Sequence, residues 1–193
     1  MRKGMRVFAL VLATMLLVGG VIGGTIAWLS TKTTPVVNTF TYGDINIALD
    51  ETPGPLDDGD NNPYTNQYPM IPGSDIAKDP EVTVKSGSEA CWLFVKLDKS
   101  ANFDSFLTVE LAEGWTALEG VEGVYYREVE KTDADLTYSV LKDDKVSVKA
   151  EVTKQMFNEL TPNTYPTLTI TAYAVQKENI PTAAQAWTYA VGA

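Results

Sequence analysis

Apolar and polar positions alternate with a period of two over several short stretches of this 193-residue chain. In residues 39–50, Ile45, Ile47 and Leu49 are interleaved with Asn46 and Ala48, which predicts a strand with one buried face. Val82 and Val84 alternate with Glu81, Thr83 and Lys85 in the same way. Residues 90–97 are apolar on both faces, with Cys91, Leu93, Val95 and Leu97 on one side and Trp92 and Phe94 on the other. A strand of that kind is central in its sheet or covered by another segment. Further strands are predicted at 107–111, 123–129 and 138–141. The cleanest alternation runs over 145–152, where Val146, Val148, Ala150 and Val152 oppose Lys145, Ser147, Lys149 and Glu151. Residues 167–175 are rich in β-branched and aromatic types, with Leu168, Ile170 and Ala172 sharing a face.

Helical spacing is confined to short segments. Residues 102–106 read as a turn; 154–160 place Met156, Phe157 and Leu160 on one side and stop before Pro162. Pro181 opens a short C-terminal helix over 182–187. Residues 51–72 hold Pro53, Pro55, Pro63, Pro69 and Pro72 with the acidic cluster Asp57, Asp58 and Asp60. Neither a helix nor a central strand tolerates such proline density, so this is a long surface loop. Many short strands, few helices and no heptads predict an all-β chain, a β-sandwich domain spanning 39–193.

The chain start departs from this pattern. Arg2, Lys3 and Arg6 precede an apolar run over 7–18, and Gly19, Gly20, Gly23 and Gly24 then lead to Thr25-Ile26-Ala27. Charge, apolar run and small residues in that order make 1–27 a secretory signal helix, with Thr25, Ala27 and Trp28 at the cleavage site of a signal peptidase. An uncleaved anchor is the alternative, because 7–29 is long enough for the roughly 20 residues a bilayer crossing needs. The glycines and the Thr-x-Ala end favour cleavage. Residues 28–38, rich in Thr and containing Pro35, then form an extended arm.

Charge and composition narrow the function. The chain carries 15 Lys plus Arg against 25 Asp plus Glu; three of the bases and none of the acids lie in 1–27, so net charge moves from −10 to −13 on cleavage. Such a surface repels nucleic acid and anionic membrane, and the expectation is no contact with either once the signal is removed. One cysteine excludes an internal disulfide, and the absence of histidine excludes Ser-His-Asp, Cys-His and HExxH chemistry. The chain is therefore expected not to be an enzyme and to carry no cofactor. Asp57, Asp58 and Asp60 are candidate weak calcium ligands, but their spacing does not fit an EF-hand loop and a solvated turn explains them as well. Cys91 reads as a small buried hydrophobe, Trp92 and Phe94 as a second core layer, and the Tyr125-Tyr126 pair as strand aromatics.

Two stretches add a family resemblance. Gly23 to Ser30 (GGTIAWLS), followed by Asn38 to Ile47 (NTFTYGDINI), resembles the TasA/camelysin family of secreted Gram-positive proteins, whose signal peptides are processed by a SipW-type peptidase. Met70 to Asp79 (MIPGSDIAKD) is similar to the family's proline-glycine turn, and the likeness extends to Leu97. The resemblance implies an extracellular or cell-surface, jelly-roll-like β-sandwich that self-associates into biofilm matrix fibres. In those fibres the N-terminal arm adds as a strand to the neighbouring subunit, alongside other matrix or surface components. Trp28, Leu29, Val36 and Val37 are then the candidate donor-strand contacts. The alternatives are a monomeric adhesin or ligand-binding module using 51–72 and, remotely, a camelysin-type protease, for which no zinc ligand set is present.

Overall fold

The computed structural model describes residues 44–55 and 66–192, and these form an all-β chain of antiparallel sheets with a few short helices. The signal segment 1–27 and the arm 28–38 lie outside the described residues, as does the acidic cluster of the 51–72 loop. Among the described residues ten strands run in chain order: β1 (Ile47–Asp50), β2 (Asp75–Ala77), β3 (Glu81–Val84), β4 (Cys91–Lys99), β5 (Leu107–Thr108), β6 (Thr116–Ala117), β7 (Val124–Val129), β8 (Leu136–Ser139), β9 (Lys145–Val148) and β10 (Leu168–Gln176). Helices α1 (Phe103–Phe106), α2 (Lys154–Asn158) and α3 (Ala183–Ala190) connect or cover them.

The strands pair as β1-β3-β8, β2-β9-β5 and β10-β4-β7-β6. The first two groups are halves of one layer. Ala77 pairs with Lys145 and Glu81 with Ser139, so three residues on one side of the break face five on the other. The Val140 amide donates to the Pro80 carbonyl and the Lys78 amide to the Asp144 carbonyl, each at 2.9 Å, which carries the ladder across. The two extra residues are taken up in a turn where Asp143 and Asp144 adopt φ of 56° and 50°. Aspartate is among the few non-glycine types that enter this left-handed region at modest cost. The result is a bulge that bends the layer over its partner.

The second layer is built on β4, paired along its whole length with β10 and along six residues with β7. Its two faces do different things, as the sequence of 90–97 predicts. Cys91, Leu93, Val95 and Leu97 face Val82, Val84, Val146 and Val148 of the first layer in one continuous core. Trp92 and Phe94 face away and are covered by Ala183, Ala186 and Trp187 of α3, with Leu118 and Val124 beside them. The buried Trp92 indole donates to the Ile180 carbonyl at 2.9 Å, so its one polar atom is satisfied. α2 adds Met156, Phe157 and then Leu160 to the first core. Thr153 and Thr182 cap α2 and α3 by accepting from the Met156 and Gln185 amides.

These cores dominate stability. Each fully buried large apolar side chain contributes about 1.5–3 kcal/mol, whereas an exposed ion pair contributes about 0–1 kcal/mol. Most ion pairs here, such as Lys85–Asp135 and Lys142–Glu110, stand in solvent.

Four predicted strands change on folding: of the one at 39–50, residues 39–43 lie outside the described residues and the strand runs over Ile47–Asp50, without Ile45. The one at 145–152 ends at Val148: the chain turns, the Val152 amide donates to the Lys149 carbonyl, and Ala150 is exposed. The one at 107–111 keeps only Leu107 and Thr108, and the one at 138–141 moves to Leu136–Ser139. Val140 and Leu141 are fully buried beyond its end.

Candidate functional site

The longest open edge among the described residues belongs to β10. The Lys177 amide donates to the Ala90 carbonyl at 2.9 Å and the Ser100 amide to the Thr167 carbonyl at 3.0 Å. With the Leu168↔Lys99 to Gln176↔Cys91 register, the odd-numbered β10 residues therefore exchange hydrogen bonds with β4. The amides and carbonyls of Leu168, Ile170, Ala172, Ala174 and Gln176 point to the other side, where no described strand pairs with them.

A second edge lies close by. β1 is the outer strand of its sheet and lies near β10 without a ladder between them. The Lys85 amide donates to the Asn46 carbonyl at 2.8 Å, which turns the backbone groups of Ala48 and Asp50 toward β3 and those of Ile47 and Leu49 outward. The residues whose backbones are outward on both strands are also those whose side chains pack on the first core: Ile47 and Leu49 from β1, and Leu168, Ile170, Ala172 and Ala174 from β10. A strand laid along either edge would find donors and acceptors that no described strand uses, and its alternate side chains would meet the rim of an apolar core.

The base of the 51–72 loop is clasped to the sandwich. Lys78 Nζ sits 2.8 Å from both carboxylate oxygens of Glu51, with these side chains 12% and 18% exposed. The Tyr68 hydroxyl donates to Glu51 at 2.6 Å, and Lys78 lies over the Tyr68 ring. Burial first, then the hydrogen bond and charge of Glu51, push the Tyr68 phenol well above its ordinary pKa of 10.0. Beside it, the Thr52 hydroxyl and amide donate to the two oxygens of Asp79, holding that carboxyl below its usual range. This is a structural clasp: its acid, base and phenol are all engaged with one another.

Thr25, Ala27 and Trp28 of the cleavage site lie outside the described residues, as do Leu29, Val36 and Val37 of the arm and Asp57, Asp58 and Asp60 of the calcium candidate. Among the described residues no group of three acids or cysteines converges as a metal site, and no helix is long and apolar enough to cross a membrane. Cys91 is fully buried, and burial pushes its thiol up to about 11. The alternation of Leu168, Ile170 and Ala172 reveals their shared face in the sequence; nothing local reveals that β10 ends a sheet. The Glu51–Lys78 clasp joins residues 27 apart and leaves no short motif. Comparison with protein-family models, with curated proteins and with solved structures returned no match.

Proposed function

We propose that this chain is a secreted structural protein, a jelly-roll-like sandwich of the TasA/camelysin type that polymerises by strand addition. The observation that carries the reading is the nine-residue β10 edge, with outward backbone groups that no described strand uses. The occupant is the arm 28–38 of a second copy. At about 3.3 Å per residue its length matches that edge, and it is apolar enough, through Trp28, Leu29, Val36 and Val37, to extend the core rim. Its one charged side chain is Lys32, and it has no acid, so it escapes the self-repulsion of an acidic chain. A head-to-tail contact of this kind does not close on itself and grows filaments. A signal peptidase that cuts after Ala27 would release the arm, so that export and assembly become one event.

The test is electron microscopy of residues 28–193 during concentration or acidification. Filaments that vanish on deletion of 28–37 support the reading; monomers under every such condition overturn it. An arm folded along its own sheet would give those monomers. The second reading, a monomeric adhesin, draws on the clasped base of the 51–72 loop, which presents that loop from a fixed platform. Glycan binding without filaments would favour it.

A further inference from the structure

Arg127 is the only arginine after Arg6. It lies on β7 opposite Leu93, on the face turned toward the first layer. Its guanidinium carbon is 3.8 Å from the centre of the Tyr138 ring and 5.2 Å from that of Trp115. The Trp115 indole is itself fixed, donating to the Ser139 carbonyl at 2.9 Å. Gly114, at φ +87°, leaves the space the head group needs: a Cβ there would come within 2.6 Å of Arg127 Nη2.

The other cations behave differently. Lysines from Lys78 to Lys177 are mostly paired with carboxylates, whereas Arg127 makes neither an ion pair nor a side-chain hydrogen bond among the described residues. No buried side-chain nitrogen or oxygen among those residues lacks a partner, so the unbonded Arg127 nitrogens reach solvent. A half-buried guanidinium beside two rings, with no acidic partner among the described residues, is suited to receive an anion.

We propose that Arg127, positioned by Trp115 and Tyr138, is a binding site for a carboxylate. Two parallel N–H donors match the two oxygens of a carboxylate, and the Tyr138 and Trp115 rings beside the guanidinium restrict how it can turn. A single negative charge also approaches this acidic chain at less cost than a phosphate dianion. The carboxylate can come from a small organic acid or from an Asp or Glu of a second copy, and the two sources are separable.

The experiment follows the Arg127 Nε–Hε resonance of the ¹⁵N-labelled full chain, assigned by its loss in Arg127→Lys. A saturable shift with acetate, at least about tenfold tighter than with inorganic phosphate and absent with chloride at equal ionic strength, supports a free acid as ligand. A shift that grows with protein concentration alone and is reversed by acetate supports a second copy as the source. Calorimetry should show acetate binding about tenfold weaker in Arg127→Lys, which keeps the charge and loses the fork. No saturable shift in the native chain with either source, or phosphate binding as tightly as acetate, overturns the proposal whether or not the lysine variant folds.

Discussion

The Phe94 and Trp187 rings lie 5.3 Å apart, centroid to centroid, and are tilted by 53°. This contact fastens α3 to the outer face of the central strand. Tyr173 of β10 meets the same indole edge-on at 5.1 Å, so one tryptophan ties the helix to both β4 and β10. Trp187→Ala should therefore destabilise the fold by about 3–5 kcal/mol, the range for emptying a buried aromatic site. Urea unfolding should show the loss as a shift of midpoint at constant slope. A drop below about 1 kcal/mol would mean that α3 is an ornament on a sheet that is stable without it.

The two sides of β10 can be separated by proline. Ala172 directs its amide outward and Thr171 directs its amide to β4. Ala172→Pro removes an outward donor and leaves every β10–β4 bond in place; Thr171→Pro deletes a ladder bond and forces the ring against β4. The second variant should be about 1–3 kcal/mol less stable than the first, the cost of leaving a buried partner unsatisfied. If the open edge receives the arm of another copy, Ala172→Pro should also stop filament growth while the monomer stays folded by circular dichroism. Normal filaments from Ala172→Pro would move the docking edge elsewhere.

What the sequence discloses follows from the range of the forces involved. Alternation found the two faces of β4 because each face has its own core, one under Val82 and Val84, the other under Trp187. The same alternation overran at Ala150, where a partner strand, not the side-chain pattern, decides the end: β5 offers only two residues to β9. β2 and β6 are too short to show a period at all. The openness of the β10 edge and the isolation of Arg127 are properties of topology. They depend on what other segments fail to cover, and no local window records that. The acidic loop cluster and the arm were legible as composition, and composition alone assigns them no partner.

Tyr68 supplies a prediction in alkali. Its phenol is raised in the folded chain, first by burial and then by its bond to Glu51, so the folded state keeps its proton after the unfolded state has lost it near pH 10.0. The unfolded chain then binds fewer protons, and stability must fall as pH rises above 10. Below that pH both states are protonated and Tyr68 contributes no slope. Stability measured by urea unfolding between pH 9 and 11 should decline more steeply in the native chain than in Tyr68→Phe. Absorbance near 295 nm should show one tyrosine ionising only with unfolding. Equal slopes in the two proteins would dissolve the clasp as a titrating unit.

Cys91 sits fully buried on the core face of β4, opposite Gln176 on one side and Val129 on the other. Burial pushes its thiol up to about 11, so at pH 8 only about one molecule in a thousand carries the reactive thiolate, even before access is considered. Native protein should resist a maleimide for hours, and labelling in urea should rise along the same transition as tryptophan fluorescence. The packing role gives a second, independent expectation. Cys91→Ala leaves a small void worth about 1 kcal/mol, whereas Cys91→Ser places a hydroxyl among apolar side chains at a cost of about 1–3 kcal/mol. If the serine variant is the less stable, the site selects against polarity rather than for sulfur chemistry. Rapid labelling of the folded chain would instead show that β4 opens locally, and with it the strand that carries both cores.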